Sequence, residues 1–86
     1  MNINDNAPTS ASQTRRILAY LRQGNRINPI RALGLFGCFR LGARITDIEK
    51  ITGVAPSRRR VKVTNREGKE VYVAEYWIPK EIHTEL

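Results

Sequence analysis

The run Asn28–Ile51, NPIRALGLFGCFRLGARITDIEKI, constrains this chain more than any other stretch. Asn28 offers a side-chain acceptor immediately before Pro29, whose fixed φ suits a first helical turn and whose missing amide hydrogen would have gone unpaired there anyway. The pair predicts a helix over Pro29–Phe36, with Ile30, Leu33 and Phe36 turned inward and Gly37 as its punctuation. A second helix is expected at once, over Cys38–Ile51, about 21 Å long at about 1.5 Å per residue. At 100° per residue, Cys38, Leu41, Ile45 and Ile48 form its apolar stripe. Arg40, Arg44 and Asp47 fall together on another side, taken as exposed, with Lys50 close by.

The flanking sequence supplies the rest of a small core. Ser10 and Gln13 have capping-box spacing, and Thr14, Ile17, Leu18 and Leu21 recur at helical intervals up to Gly24, which suits the position after a helix end. A first helix over Ala11–Gln23 follows, and Arg26-Ile27 leaves room for no more than a short strand or bridge. After Thr52-Gly53 the period changes from helical to alternating. Val54–Ser57 is a connector, because Pro56 fits neither a helix interior nor a central strand. Arg58–Thr64 alternates with period two, Asn65–Lys69 is a five-residue hairpin loop containing glycine, and Glu70–Ile78 is a return strand rich in β-branched and aromatic residues, ended by Pro79. An isolated hairpin is marginal in water, so one of its faces has to pack on the helices. Tyr72, Ala74, Tyr76 and Ile78 are assigned to that face, and Trp77, on the other, to the rim of the core. The expected fold is α+β: a winged helix-turn-helix arrangement of a three-helix core with a C-terminal two-stranded β-hairpin over residues 11–79, with a disordered N-terminal tail at 1–10 and a C-terminal tail at 80–86.

Charge narrows the functional classes. Between Thr14 and Lys80 lie all 15 lysines and arginines against five acids, Asp47, Glu49, Glu67, Glu70 and Glu75, a balance of 15 − 5, or +10. So basic a domain favours a polyanion. No apolar run approaches the roughly 20 residues that span a bilayer, and the first residues lack the pattern of a signal peptide; a cytoplasmic protein with no membrane partner is expected. One cysteine and one histidine, Cys38 and His83, exclude a disulfide framework and a cysteine-rich zinc site. No nucleophile–base pair, phosphate-cradling glycine motif or carboxylate cluster is present, so neither an enzyme nor a cofactor is expected.

Gln13-Thr14-Arg15-Arg16-Ile17-Leu18, Asn28-Pro29-Ile30-Arg31-Ala32-Leu33, Leu35-Phe36-Gly37-Cys38-Phe39-Arg40-Leu41, Ala43-Arg44-Ile45 with Asp47, and the strand Val73–Ile78 together resemble a family of small winged helix-turn-helix domains common in bacteriophage and prophage genomes. The resemblance covers about Gln13–Ile78. It implies DNA binding and leaves the biological role open. One departure is Glu49, where such domains commonly carry a basic residue, followed here by a longer connector over Ile51–Pro56.

In a duplex-binding domain of this kind the helix over 38–51 enters the major groove. Arg40 and Arg44 are the candidates for base edges or phosphates, Asp47 for a cytosine amine or for orienting a neighbouring arginine, and Arg31 for the backbone, with Lys50 a further DNA-binding candidate. The wing over 58–69 brings Arg58, Arg59, Arg60, Lys62, Arg66 and Lys69 against phosphates or into the adjacent minor groove. Gly42, in mid-helix, costs about 1 kcal/mol against alanine, which points to a close approach there, by the preceding helix in preference to the DNA. The expected role is a phage or prophage regulator or a replication or recombination accessory factor, acting with double-stranded DNA and as a homodimer or with a partner protein. Two alternatives stay open: a protein–protein interaction module anchored on Trp77 and Phe39, and an RNA or single-strand binder using Tyr72, Tyr76 and Trp77.

Overall fold

The computed structural model describes residues 9–79. Its elements are α1 (Ser10–Arg22), α2 (Pro29–Phe36), α3 (Leu41–Thr52), β1 (Ser57–Thr64) and β2 (Glu70–Trp77), the expected three-helix core and two-stranded hairpin. The tails expected at either end, and His83, fall largely outside the described residues, although Thr9 and Ser10 belong to the fold.

The first helix is capped one residue earlier than its sequence suggests. Thr9 has extended backbone, its Oγ1 accepts from the Ser12 amide and its own amide donates to Ser12 Oγ, both at 3.1 Å. Serine at the third helical position therefore does the work expected of glutamine. Gln13 is released for a tertiary contact, donating through Nε2 to the Gly37 carbonyl at 3.3 Å.

The second helix has the expected bounds and caps. Asn28 Oδ1 accepts from the Arg31 amide at 2.9 Å, and Gly37 closes the helix in the left-handed region at φ 63°. The inward face differs. Ala32 is buried and Phe36 half-buried, with the Phe36 ring edge-on to Tyr20 at 5.6 Å, while Ile30 and Leu33 are exposed. Two turns of helix pack closely only along the edge of Ala32 and Phe36, so the 3.6 period outruns the surface that covers it.

Left-handed Gly37 also delays the third helix. The Cys38 amide donates back to Ala32 O at 3.2 Å, Cys38–Arg40 form the turn, and α3 starts at Leu41 instead of Cys38. Gly42 is thus the second residue of the helix, where glycine costs less than in mid-helix, and a Cβ added to it would meet nothing within 4 Å. Packing against α2 does not explain it. The expected stripe of Cys38, Leu41, Ile45 and Ile48 is buried, and joins Thr14, Ile17, Leu18, Leu21, Ile27, Ala32 and Ile78 in one core.

The strands pair antiparallel from Ser57↔Trp77 to Thr64↔Glu70. Asn65 sets the loop: its Oδ1 accepts from the Glu67 and Lys69 amides, both at 3.0 Å, and its own amide donates to Lys69 O at 2.8 Å. Ile27 docks the hairpin to the helices through reciprocal amide–carbonyl bonds with Tyr76 of 2.9 and 2.8 Å. The core-facing assignment holds at that docked end, where Ile78 is buried and Tyr76 packs on the core. It fails at Tyr72, which is 59% exposed. The hairpin is docked on the core at its base, α2 flanks its outer half, where Ile30, Arg31, Gly34 and Leu35 share a groove with Val63 and Thr64, and the Tyr72 ring stays open.

Candidate nucleic-acid interface

Because directly opposed residues share a face of a two-stranded ladder, the register divides the wing cations into two sets. Arg58, Arg60 and Lys62 stand on the face of Tyr76, Ala74 and Tyr72. Arg59 stands on the other, with Glu75 and Trp77. There Arg59 Nε donates to Glu75 Oε1 at 3.2 Å, Arg26 Nη1 donates to the same oxygen at 3.4 Å, and the Arg26 guanidinium lies 4.2 Å from the centre of the Trp77 ring. Arg59 is also stacked on that ring, at 5.9 Å. Trp77 is therefore half-buried under two cations rather than open to a partner. The run of three arginines separates into two that share one face and one on the opposite face, its side chain still 59% exposed, that pairs with Glu75 beside the Trp77 ring.

The free set continues a cleft. Gly42, Ile45, Thr46 and Glu49 of α3, Ala55 and Pro56 of the connector, and Arg58 and Tyr76 of the wing enclose about 360 Å³. Beyond its mouth Arg60 lies 5.1 Å and Lys62 5.8 Å from the Tyr72 ring centre, and Lys62 Nζ is 3.9 Å from Glu70 Oε1. These pairs are exposed, so they order the side chains weakly and leave the charge available. Arg66 and Lys69 sit at the exposed wing tip. Arg40 holds the N-cap position of α3; its guanidinium has no acceptor with which to cap, and the side chain is exposed without an ion pair among the described residues.

The other side of α3 is turned toward α1. Arg44, taken as exposed from the sequence, has a side chain only 13% exposed, with Nε 3.2 Å from Asp47 Oδ2. That contact is Coulombic without being a hydrogen bond, since Nε has no aligned acceptor. Asp47 Oδ2 in turn accepts from the buried Thr14 hydroxyl at 3.3 Å, while the same hydroxyl reaches Ser10 O at 2.8 Å. Arg44 and Asp47 thus link α3 to α1. Lys50 is exposed at the mouth of the groove formed with Ala11, Arg15 and Ile51. On α2, Arg31 donates through Nη1 to the Tyr20 hydroxyl at 3.1 Å and lines a shallow groove with Ile30, Gly34, Leu35 and Val63.

The cleft therefore brings together Arg58 of the expected residues, with Arg60 and Lys62 on the same wing face, and adds Thr46 and Glu49, which the sequence did not single out as contacts, beside Gly42. Residues 42, 46 and 49 share one flank of a helical wheel, yet only the path of the connector decides which flank meets the wing. Among the described residues no cluster of three or more metal-ligating side chains occurs, and no helix is long and apolar enough to cross a membrane. The family described as winged helix-turn-helix domain matches residues 12–81. No curated protein and no solved structure matches the chain.

Proposed function

We propose, from the premise that this chain belongs to the winged helix-turn-helix domain family, that it binds double-stranded DNA with α3 in the major groove and the wing on the adjoining backbone or minor groove. The observation that carries this is the cleft, which sets the exposed flank of α3 against the Arg58, Arg60 and Lys62 face of the hairpin. An α-helix fits the major groove, and cations on a neighbouring projection then reach the phosphates that border it. Arg40, Lys50, Arg66 and Lys69 add to the positive rim, and Arg31 stands beyond it on α2. Arg44 and Asp47 act from behind, holding α3 on α1, and Arg59 steadies the wing. The role we favour is a phage or prophage regulator, or an accessory factor in replication or recombination, in the bacterial cytoplasm and as a homodimer or beside a partner protein.

A test of the binding mode is its salt dependence. About four to six phosphate contacts give a log–log slope of affinity against salt of about −4 to −5, each contact contributing about −0.9. Fluorescence anisotropy of a labelled duplex across a salt series measures it. A flat response would sink the duplex reading.

Protein–protein interaction has one observation in its favour. Ile30, Leu33, Leu35 and Phe39 are all exposed on α2 and the turn after it, with Phe39 at 84%. That surface is separate from the cleft, so the two activities are compatible. Single-strand binding through aromatics has less support, since Tyr72 is exposed while Tyr76 and Trp77 are half-buried.

A further inference from the structure

The flank of α3 that faces the cleft carries no cation. Gly42, Thr46, Glu49 and Gly53 follow one another at helical spacing, and all four are exposed. Gly42 has open space where a side chain would be. The Thr46 hydroxyl is occupied, donating to the Gly42 carbonyl at 3.1 Å. Glu49 is therefore the one charged group on this flank, and its carboxylate has no ion pair among the described residues, although Arg58 lines the same cleft. A carboxylate facing duplex DNA loses by proximity to phosphates. It gains by orienting a neighbouring arginine or by accepting a hydrogen bond from an exocyclic amine on a base edge. No ion pair joins Glu49 to Arg58 among the described residues, and in the major groove the usual partner of a glutamate is the N4 amine of cytosine.

Resting on the duplex-binding reading above, the geometry points to Glu49 as a specificity-determining residue that accepts from the N4 amine of a cytosine in the major groove. The residues that precede it on the flank are small enough to let the helix sink until a three-atom carboxylate reaches the base edge. Thr46, three residues earlier, lies about 4.5 Å back along the axis at about 1.5 Å per residue, close to one step of about 3.4 Å along a strand. With its hydroxyl held by the helix, Thr46 offers the neighbouring pair its methyl group, a surface suited to the C5-methyl of thymine. The flank reads a cytosine next to a thymine and contains no donor for guanine O6 or N7, the acceptors that arginine would have sought.

The test is selection of bound sequences from random duplexes, run in parallel on the wild-type chain and on Glu49→Gln, with circular dichroism to establish that both are folded. Glutamine pairs with the N6 and N7 of adenine, so the expected result is a change from C·G to A·T at one position of the recovered motif, with the other positions unchanged. Competition between the two duplexes should move by about tenfold or more, and affinity for random duplex should rise, because a negative charge has left the interface. Identical motifs from the two proteins would overturn the assignment, as would a uniform gain in affinity with no change of base preference. Duplex binding by the wild type with no recovered motif would overturn it too, while leaving the binding mode intact. Absence of salt-dependent duplex binding by the wild type would remove both.

Discussion

Ile48→Ala should remove about 2–5 kcal/mol of folding stability, the range for truncating a buried isoleucine whose cavity cannot collapse. Ile48 is fully buried in α3, in the same core as Ile17, Leu21, Ile27, Leu41 and Ile78. These residues come from α1, the strand-like bridge, α3 and the end of the hairpin, so no single element can move to fill the space without displacing another. A domain of this size has about 5–15 kcal/mol in total, and one methylene-rich side chain is a large fraction of that. The comparison that isolates burial from helix propensity is Ile51→Ala, one turn on and exposed, where a change within about 0.5 kcal/mol is expected. Urea unfolding followed by circular dichroism measures both midpoints. Equal losses for the two variants would show that Ile48 owes its effect to the helix and not to the core.

The largest effect on binding is expected from replacing Arg58, Arg60 and Lys62 together by glutamine. All three share one wing face, so the substitution empties that face while sparing Asn65 and the loop it organises. Loss of three phosphate contacts should make the log–log salt slope shallower by about 2–3 units, and lower duplex affinity by roughly 10- to 1,000-fold at low salt. Arg59→Gln is the informative control. Its side chain lies on the opposite face, held by Glu75 and Trp77, so the slope should stay nearly unchanged while thermal stability falls slightly. If Arg59→Gln flattened the slope as much per residue as the triple variant, the division of the wing into a binding and a supporting face would be wrong.

Much of the fold was legible because its determinants are local. Asn28-Pro29 and Gly37 bound α2 to the residue through caps that depend on neighbours in sequence, and the loop chemistry of Asn65 to Gly68 fixed the hairpin. The stripe of Cys38, Leu41, Ile45 and Ile48 follows from periodicity alone. What was not legible depended on where elements end up. Helical spacing in Ile30 and Leu33 is real, yet among the described residues Ile30 meets only an open groove beside Val63 and Thr64, and both stay exposed. Alternation in β2 groups Tyr72 with Tyr76 correctly, but a side chain's partner depends on how far the helices extend beneath the hairpin. The surroundings of the candidate contacts were the least legible. Arg40 and Arg44, four residues apart, look alike in sequence, which does not reveal that Arg40 holds only the N-cap position of α3 while Arg44 meets Asp47 and, through it, Thr14. The connector through Pro56 turns the opposite flank toward the wing, and with it a glycine, a threonine and a glutamate.

Cys38 is the single thiol of the chain and is buried in the turn between α2 and α3, next in sequence to the exposed Phe39. A thiol-specific reagent meets it only when that turn opens. Its alkylation rate, divided by the rate for an unhindered thiol, is then an equilibrium constant for local opening of the helix-turn-helix joint, measured at one atom and without any mutation. The same chemistry makes the joint a clock: as long as it stays shut, two copies of the chain cannot be cross-linked through sulfur, and the appearance of such a species dates the moment at which α2 and α3 come apart.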